Sequence, residues 1–382
     1  MILINKMSDS ENNDEEIVKS IVNTKKKKIK QKDIKEIFDD VMDWVDEFKI
    51  DKKDISENKI EKLPWVERFR PKTLNDVISH KSIISTLKQL IKKNYMPHLL
   101  LSGPPGTGKT STIMACVREL YGENYPIMVL EINASEERGI DVVRTKIKNF
   151  VITKSFFNKG TNYSAYKMVI LDEADAMTPD AQSMLISMIE KYSMNIRFCL
   201  ICNYAKKIFP AIQSRCATFK FSPLDSTNIS IKLKQIATEI KLDLTQDGIE
   251  TLIKVSKGDM RSVLNILQAT YMAYGKINSE NITNCIGYPS QKIIDIIYKS
   301  VFNDKFNICY DKINKIVSEN EYSLNDIILE ISNKLTSDFI NKKIKQDKYI
   351  TIIYNLREIE MNMTVCPNEK IQLMALVSCF KI

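Results

Sequence analysis

Apolar residues follow two different periodicities from residue 64 onwards. Runs of four to six consecutive apolar residues alternate with segments in which an apolar residue recurs every three or four positions. Runs of that length predict strands buried on both faces, and the intervening segments predict helices. Five strands are predicted in this way, over residues 98–101, 127–132, 168–171, 198–202 and 217–221. The alternation indicates an α/β fold with a parallel sheet.

After Pro223 the apolar pattern becomes helical throughout. One stripe starts at Ile229, a second spans residues 249–253 and ends at Gly258, and Asp259 is predicted to cap a third helix. The last ninety or so residues continue as amphipathic helices. We therefore predict three folded domains: an α/β domain at 63–225, a small helical domain at 226–288 and an all-helical domain at 289–382.

Residues 1–62 differ in composition from the rest of the chain. They contain neither Gly nor Pro, and they carry 14 Lys against 16 Asp plus Glu, so the net charge of +8 comes from the residues that follow. We predict a charged extension, disordered in part, with an amphipathic helix over 33–48. The basic cluster at 25–32 is typical either of a nuclear import signal or of a solvated charge run.

Composition also excludes several classes of protein. No run of about 18 apolar residues is present, so no membrane span is expected, and the N-terminus lacks the order of a signal peptide. Eight cysteines in such a chain predict reduced thiols. The single C-x-x-C pair, Cys199 and Cys202, lies inside an apolar run and does not supply the four ligands of a zinc site. We predict two buried cysteines on a strand.

Glycine is scarce, and three of the 10 glycines lie between residues 103 and 108, whereas Gly248 is assigned to an ordinary turn. The segment 103–110, GPPGTGKT, matches the phosphate-binding loop G-x-x-x-x-G-K-[ST] and stands between a predicted strand and a predicted helix. Its backbone N–H groups and the positive end of the helix suit an anion. Lys109 is predicted to contact the β- and γ-phosphates of ATP, and Thr110 to ligate Mg²⁺. The other predicted ATP contacts in this loop are Gly103, Pro104, Pro105, Gly106, Thr107, Gly108 and Ser111.

A second motif follows about sixty residues later. Residues 167–175, KMVILDEAD, form an apolar strand that ends in acids. Because a buried parallel strand delivers its last side chains to the ligand crevice, Asp172 is predicted to hold Mg²⁺ and Glu173 to orient or deprotonate the attacking water. The second acid indicates an ATPase rather than a passive binder. The letters D-E-A-D also suggest a helicase, but a second α/β domain is missing.

The residues from 64 to the C-terminus resemble the small subunits of replication factor C, the clamp-loader family of AAA+ ATPases. Six further segments carry the resemblance: 64–71 (PWVERFRP), 130–144 (LEINASEERGIDVVR), 198–203 (FCLICN), 214–216 (SRC), 258–261 (GDMR) and 368–373 (NEKIQL). The resemblance implies an AAA+ core, a helical lid and a helical collar that mediates oligomerisation. It also implies a hetero-pentamer that opens a sliding clamp, loads it onto primer–template DNA and acts in the nucleus.

The resemblance assigns roles that the spacing alone leaves open. It implies that Val66, Arg70 and Val77 contact the adenine side of ATP. Asn203 resembles the sensor residue that holds the attacking water, and Arg261 resembles the second sensor arginine. Arg215 resembles the arginine finger, which acts on the ATP of a neighbouring subunit. The implied contacts with the DNA backbone are Arg138, Gly139, Arg144 and Lys148.

This sequence departs from the family pattern at a few positions. Ile186 and Ser187 stand where paired arginines are common, and Ser262 replaces a frequent arginine after Arg261. Ala217 and Phe219 replace polar or basic residues. These changes leave the ATP motifs intact and bear on DNA contact or subunit coupling. Two alternatives stay open: an ATP-binding scaffold that contributes mainly its finger and collar, or another AAA+ machine such as an unfoldase.

Overall fold

The computed structural model describes residues 63–136, 140–152, 166–366 and 368–381, with the side chains of 140–144 and 152 excepted. Five parallel strands form one sheet in the order β2-β3-β4-β1-β5. They are β1 (Leu99–Ser102), β2 (Val129–Asn133), β3 (Lys167–Asp172), β4 (Ile196–Cys202) and β5 (Ala217–Lys220). Because all strands run the same way, the carboxyl ends of β1, β3 and β4 meet at one edge of the sheet. The α/β fold with a parallel sheet is confirmed.

The start of β2 was predicted wrongly, because part of the predicted strand is helical. The apolar run at 127–132 was expected to be a strand from its first residue, but Ile127 and Met128 lie in a helical turn, Tyr125–Met128. Pro126 occupies the first turn of that helix, where its fixed φ favours the helical conformation. The strand therefore begins only at Val129, because a short apolar run fits either element.

Helices cover both faces of the sheet in the residues before 225. Leu99 and Leu101 point into one apolar core with α2 and α3, whereas Leu100 points into the opposite core with α6. The helices of this part are α1 (Trp65–Arg68), α2 (Lys81–Lys92), α3 (Lys109–Tyr121), α4 (Tyr125–Met128), α5 (Ile140–Ile152), α6 (Pro179–Tyr192) and α7 (Pro210–Gln213). Cys199 and Cys202 are buried on β4, as their apolar surroundings predict.

The described residues beyond β5 contain helices and no strand, apart from one isolated bridge between Leu244 and Ile277. The first group, called the lid here, comprises α8 (Ser226–Ile240), α9 (Gln246–Ser256), α10 (Met260–Tyr274) and α11 (Ser279–Ile286). The second group, called the collar, comprises α12 (Gln291–Asn303), α13 (Phe306–Asn320), α14 (Leu324–Ile340), α15 (Gln346–Val365) and α16 (Glu369–Cys379). Each group has its own apolar core.

Helix α1 packs against the lid, although it precedes the sheet in sequence. Trp65 and Phe69 belong to the lid core with Leu233 and Leu267. The backbone N–H of Trp65 donates to the Gln268 side chain at 3.0 Å. Residues 65–69 therefore form a strap from the α/β domain to the lid. The predicted domain boundary at 225 assigns these residues to the α/β domain and does not predict this connection.

Two loop predictions at the lid have different outcomes. Asp259 caps α10 as predicted, since its Oδ1 accepts the N–H groups of Arg261 at 2.8 Å and Ser262 at 3.2 Å. Gly248 was assigned to an ordinary turn, which is wrong because it lies in the first turn of α9. A Cβ there would come within 2.7 Å of the Ile277 carbonyl, so close packing within the lid explains this glycine.

A buried carboxylate joins the lid to the collar. Glu330 on α14 is 3% exposed, and its two oxygens accept different donors. Lys254 of the lid donates at 2.6 Å and the Tyr288 hydroxyl, in the connection between lid and collar, donates at 2.7 Å. Since a buried carboxylate without partners is costly, this node ties the lid to the collar.

We expect Glu330→Gln to destabilise the protein by about 1–3 kcal/mol, because the neutral amide cannot accept from both donors, and Lys254 is itself partly solvated. The measurement is the thermal unfolding midpoint, which should fall. Glu319→Gln is the matched control, since Glu319 forms an exposed pair with Lys315 at 3.8 Å. An equal shift for both variants would contradict a stabilising role for the node.

Candidate active site

A cavity of about 220 Å³ lies where the sheet edge, the strap and the lid meet. The phosphate-binding loop contributes Pro105 to Ser111, and the strap and the residues after it contribute Val66, Arg70 and Val77. Asp172, Glu173 and Asn203 come from the ends of β3 and β4, and Arg261 comes from the lid. The structure thus brings together most of the residues predicted to contact ATP. Gly103 and Pro104 lie just behind the cavity, where their carbonyl oxygens hold the Lys109 side chain.

The phosphate-binding loop needs its glycines for two physical reasons. Gly106 and Gly108 have φ values of +66° and +89°, in the left-handed region that other residues rarely adopt. A Cβ on Gly106 would also come within 1.5 Å of the Asp259 carboxylate. Met260 N–H donates to the Gly106 carbonyl at 3.2 Å, so the lid touches the loop directly.

Lys109 lies at the centre of the site and is only 7% exposed. Its Nζ donates to the carbonyl oxygens of Gly103 at 2.7 Å and Pro104 at 2.8 Å, and to Asn203 Oδ1 at 2.9 Å. Burial lowers the pKa of Lys109, and the nearby Asp172 carboxylate opposes that shift. The lysine therefore connects the loop to the end of β4.

Oxygen atoms from β3 face the first turn of α3. The Thr110 hydroxyl donates to Asp172 Oδ2 at 2.8 Å, and Asp172 Oδ1 accepts the Glu173 N–H at 2.8 Å. Glu173 has a φ of +52°, an uncommon conformation for a residue with a side chain, and its side chain lines the cavity. The turn after β3 thus presents two carboxylates beside the threonine hydroxyl.

The cavity also contains residues that the sequence did not indicate. Asp76 and Ser79 come from the segment before α2, and Asn228 and Lys232 come from α8. Asn228 and Lys232 are four residues apart and flank the buried stripe of α8, so they share the face toward the cavity. That spacing was the only available signal, and polar residues beside an apolar stripe are too common to identify a site.

Arg215 lies outside the cavity. It follows α7, and its guanidinium donates to Glu190 at 2.5 Å and to the Ala211 carbonyl at 2.8 Å. The arginine therefore does not reach the cavity of its own chain. The pair is exposed, with 38% of the Arg215 side chain in solvent.

The predicted DNA contacts are only partly described. Lys148 lies on α5 and is half-buried. Arg138 and Gly139 lie outside the described residues, and the side chain of Arg144 is likewise outside them. Ile186, where the family commonly has an arginine, packs against the core beneath α6, whereas Ser187 is exposed.

Two family models match the chain. The model for the ATPase family associated with various cellular activities covers residues 99–224, and the replication factor C C-terminal domain covers residues 289–379. Replication factor C subunit 5 of Homo sapiens is 45% identical over 82% of this chain and 90% of its own length. Replication factor C subunit 3 of Schizosaccharomyces pombe is 47% identical over 82% of this chain and 89% of its own length.

The chain belongs to the replication factor C small-subunit family. Its α/β domain is an AAA+ ATPase domain, a fold that binds a nucleotide. The match to relatives named subunit 5 and subunit 3 also means that the family works as a complex of several subunits. No helix in the described part of the chain is long and apolar enough to span a membrane.

We expect Gly106→Ala to weaken ATP binding at least ~10-fold, because the new methyl group collides with Asp259 and forces the lid away from the loop. The measurement is titration with a fluorescent ATP analogue. Gly287→Ala is the matched control, since Gly287 has a nearly equal φ of +64° but open space around it. Gly106→Ala with Asp259→Ser, which keeps a short capping side chain, should regain part of the affinity. No recovery in that double variant would contradict the collision.

Proposed function

We propose that this protein is an ATP-hydrolysing subunit of a replication factor C clamp loader, a hetero-pentamer that opens a sliding clamp and loads it onto primer–template DNA. The observation that carries the proposal is a division of the catalytic groups. Lys109, Asp172, Glu173 and Asn203 share one cavity, whereas Arg215 is held outside it by Glu190. Such a chain has all the groups needed to bind ATP without a partner, and a neighbouring subunit supplies the finger arginine for hydrolysis.

The residues of the cavity have distinct proposed roles. Lys109 balances charge on the β- and γ-phosphates, and Glu173 accepts the proton of the attacking water. Asn203 orients that water as the first sensor, and Arg261 contacts the phosphates from the lid as the second. Val66, Arg70 and Val77 contact the adenine side, which agrees with their position on the strap side of the cavity.

The donor set beside the phosphate-binding loop fits Mg²⁺. The Thr110 hydroxyl and the Asp172 carboxylate are hard oxygen donors 2.8 Å apart. The described residues contain no cluster of three His, Cys, Asp or Glu side chains suited to a metal. A site with two protein oxygen donors suits Mg²⁺, because this ion commonly keeps several waters and takes its remaining ligands from substrate phosphates. Thr110 and Asp172 would hold the ion, which would neutralise charge on the phosphates.

The collar offers a surface for assembly with other subunits. Four apolar side chains on α15 are each more than half exposed: Ile350, Tyr354, Met361 and Val365. Their spacing of four, seven and four residues places them on one face of the helix. An apolar stripe of this length on a helix is typical of a protein interface. It supports contact with neighbouring collars in the pentamer.

The DNA contacts and the location are proposed from the family and from charge. Arg138, Gly139, Arg144 and Lys148 would follow the phosphate backbone through sequence-independent contacts. Loading at primer–template junctions requires no base reading. The nucleus is the proposed location, to which the basic cluster at 25–32 is suited.

We expect Arg215→Ala to reduce clamp- and DNA-stimulated ATP hydrolysis by the reconstituted complex, with a loss on the order of 10³-fold at the neighbouring site that this finger serves. ATP binding by the variant subunit itself should be unchanged, because Arg215 lies outside its own cavity. The measurement is single-turnover hydrolysis in a complex whose other sites carry inactivating substitutions.

Lys315→Ala is the matched control, since Lys315 also pairs with a surface glutamate, Glu319, but lies on α13 of the collar and outside the apolar stripe. It should leave hydrolysis unchanged. Unaltered hydrolysis with Arg215→Ala would exclude the finger role, and a homohexamer in place of a complex with related partners would exclude the clamp loader.

We expect Tyr354→Lys to prevent co-purification with partner subunits, because it places a charge in the centre of the apolar stripe. ATP-analogue binding by the isolated subunit should be preserved, since the stripe is on the collar. Lys348→Glu provides a charge-changing control on the same helix outside the stripe. Normal assembly of the Tyr354 variant would show that the stripe is not a subunit interface.

A further inference from the structure

Asp175 holds the loop that carries Asn203. It lies in the helical turn Ala174–Ala176, three residues after Asp172, and does not line the nucleotide cavity. One carboxylate oxygen accepts the backbone N–H of Asn203 and the other accepts that of Tyr204, each at 3.3 Å. The carboxylate thus spans two successive donors of the segment that follows β4.

No strand of the described sheet supplies these acceptors. The pairing of β4 with β1 ends at Cys202 opposite Ser102, and its pairing with β3 ends at Leu200. Asn203 and Tyr204 lie beyond both ladders. Backbone donors at such a strand end need other partners, and a charged acceptor makes stronger hydrogen bonds than a neutral one.

One side of this segment borders open space. A second cavity, of about 180 Å³, is lined by Glu173, Asp175, Ala176, Asn203 and Lys207. The Tyr204 side chain is 65% exposed. The Asp175 carboxylate accepts from both backbone N–H groups, and it fixes the Asn203 backbone together with the buried end of β4 and the packing of Ala205.

The position of the Asn203 backbone decides where its side-chain amide lies. Asn203 Oδ1 accepts from Lys109 Nζ at 2.9 Å, so the amide sits beside the group predicted to contact the γ-phosphate. Asp175 is also linked to the acid pair, because Ala176 N–H donates to the Glu173 carbonyl at 2.8 Å within the same turn. One short turn therefore connects the general base to the sensor.

We propose that Asp175 is a positioning residue for ATP hydrolysis: it holds the Asn203 amide in register with Glu173, and it touches neither the nucleotide nor the attacking water. The proposal rests on the sensor role given above to Asn203. Misplacing a group that orients the attacking water lowers the rate of the chemical step and leaves substrate binding nearly unchanged.

The test uses Asp175→Asn in the reconstituted complex, with single-turnover hydrolysis and ATP-analogue binding as separate measurements. Asparagine keeps the shape but places an N–H₂ group against a backbone N–H, so one hydrogen bond is lost. We expect the maximal hydrolysis rate to fall at least ~10-fold with KM and analogue affinity within about twofold. Asp180→Asn, an exposed acid in the first turn of α6, is the matched control and should change neither quantity.

A double-mutant cycle with Asn203→Ala decides whether Asp175 acts through Asn203. If it does, Asp175→Asn causes little further loss once the Asn203 amide is absent. Losses that multiply, an unaltered rate for Asp175→Asn alone, or a matching loss of analogue affinity would each overturn the proposal. An unaltered rate for Asn203→Ala would instead remove the sensor role, a failure distinguishable from that of Asp175 alone.

Discussion

Lys109 is only 7% exposed as a residue, and three oxygen atoms within hydrogen-bond distance of its ammonium group compensate for that burial. Two of these oxygens belong to the backbone of the phosphate-binding loop and the third belongs to Asn203. The same cation therefore sets the shape of the loop and the position of the end of β4. Because part of the desolvation of Lys109 occurs during folding, binding a phosphate does not have to bear the whole of that cost.

The lid contacts both the phosphate-binding loop and the collar. Met260 donates to Gly106 in the phosphate-binding loop, while Lys254, on the neighbouring lid helix, donates to Glu330 in the collar. The strap adds a third connection, since Trp65 packs in the lid core next to the Val66 side of the cavity. A shift of the lid on nucleotide binding would thus move the collar through directed hydrogen bonds as well as through apolar packing. An ATP-driven assembly requires such a mechanical link between the nucleotide site and the oligomerisation surface.

Local chemistry explains which features could be predicted from the sequence. The strands, the phosphate-binding loop and the Asp259 cap depend on neighbours within a few residues, and patterns of that range identified them. The contributions of Asp76, Ser79 and Lys232 depend on how the lid and the strap approach the sheet, which no local pattern encodes. The prediction for Gly248 was wrong for the same reason, because the distant Ile277 carbonyl decides its place. The start of β2 was wrong for a local reason, because a short apolar run after Pro126 fits either a helix or a strand. The sequence indicates Asp175 only as the last letter of the D-E-A-D motif. Its hydrogen-bond partners lie about thirty residues later in the chain, beyond the range of a local pattern.

The position of Arg215 has an energetic consequence for how hydrolysis is controlled. An exposed arginine–glutamate pair such as Arg215–Glu190 contributes about 0–1 kcal/mol, so releasing the guanidinium costs little. A finger arginine in related phosphoryl transfers contributes roughly 10³–10⁵ in rate, which is about 4–7 kcal/mol of transition-state stabilisation. For the proposed finger role, the cost of releasing Arg215 from Glu190 is therefore small beside the stabilisation that the arginine would supply in the transition state. A subunit with this role would hold ATP with its own residues and hydrolyse it at a rate set by the geometry of the assembled complex.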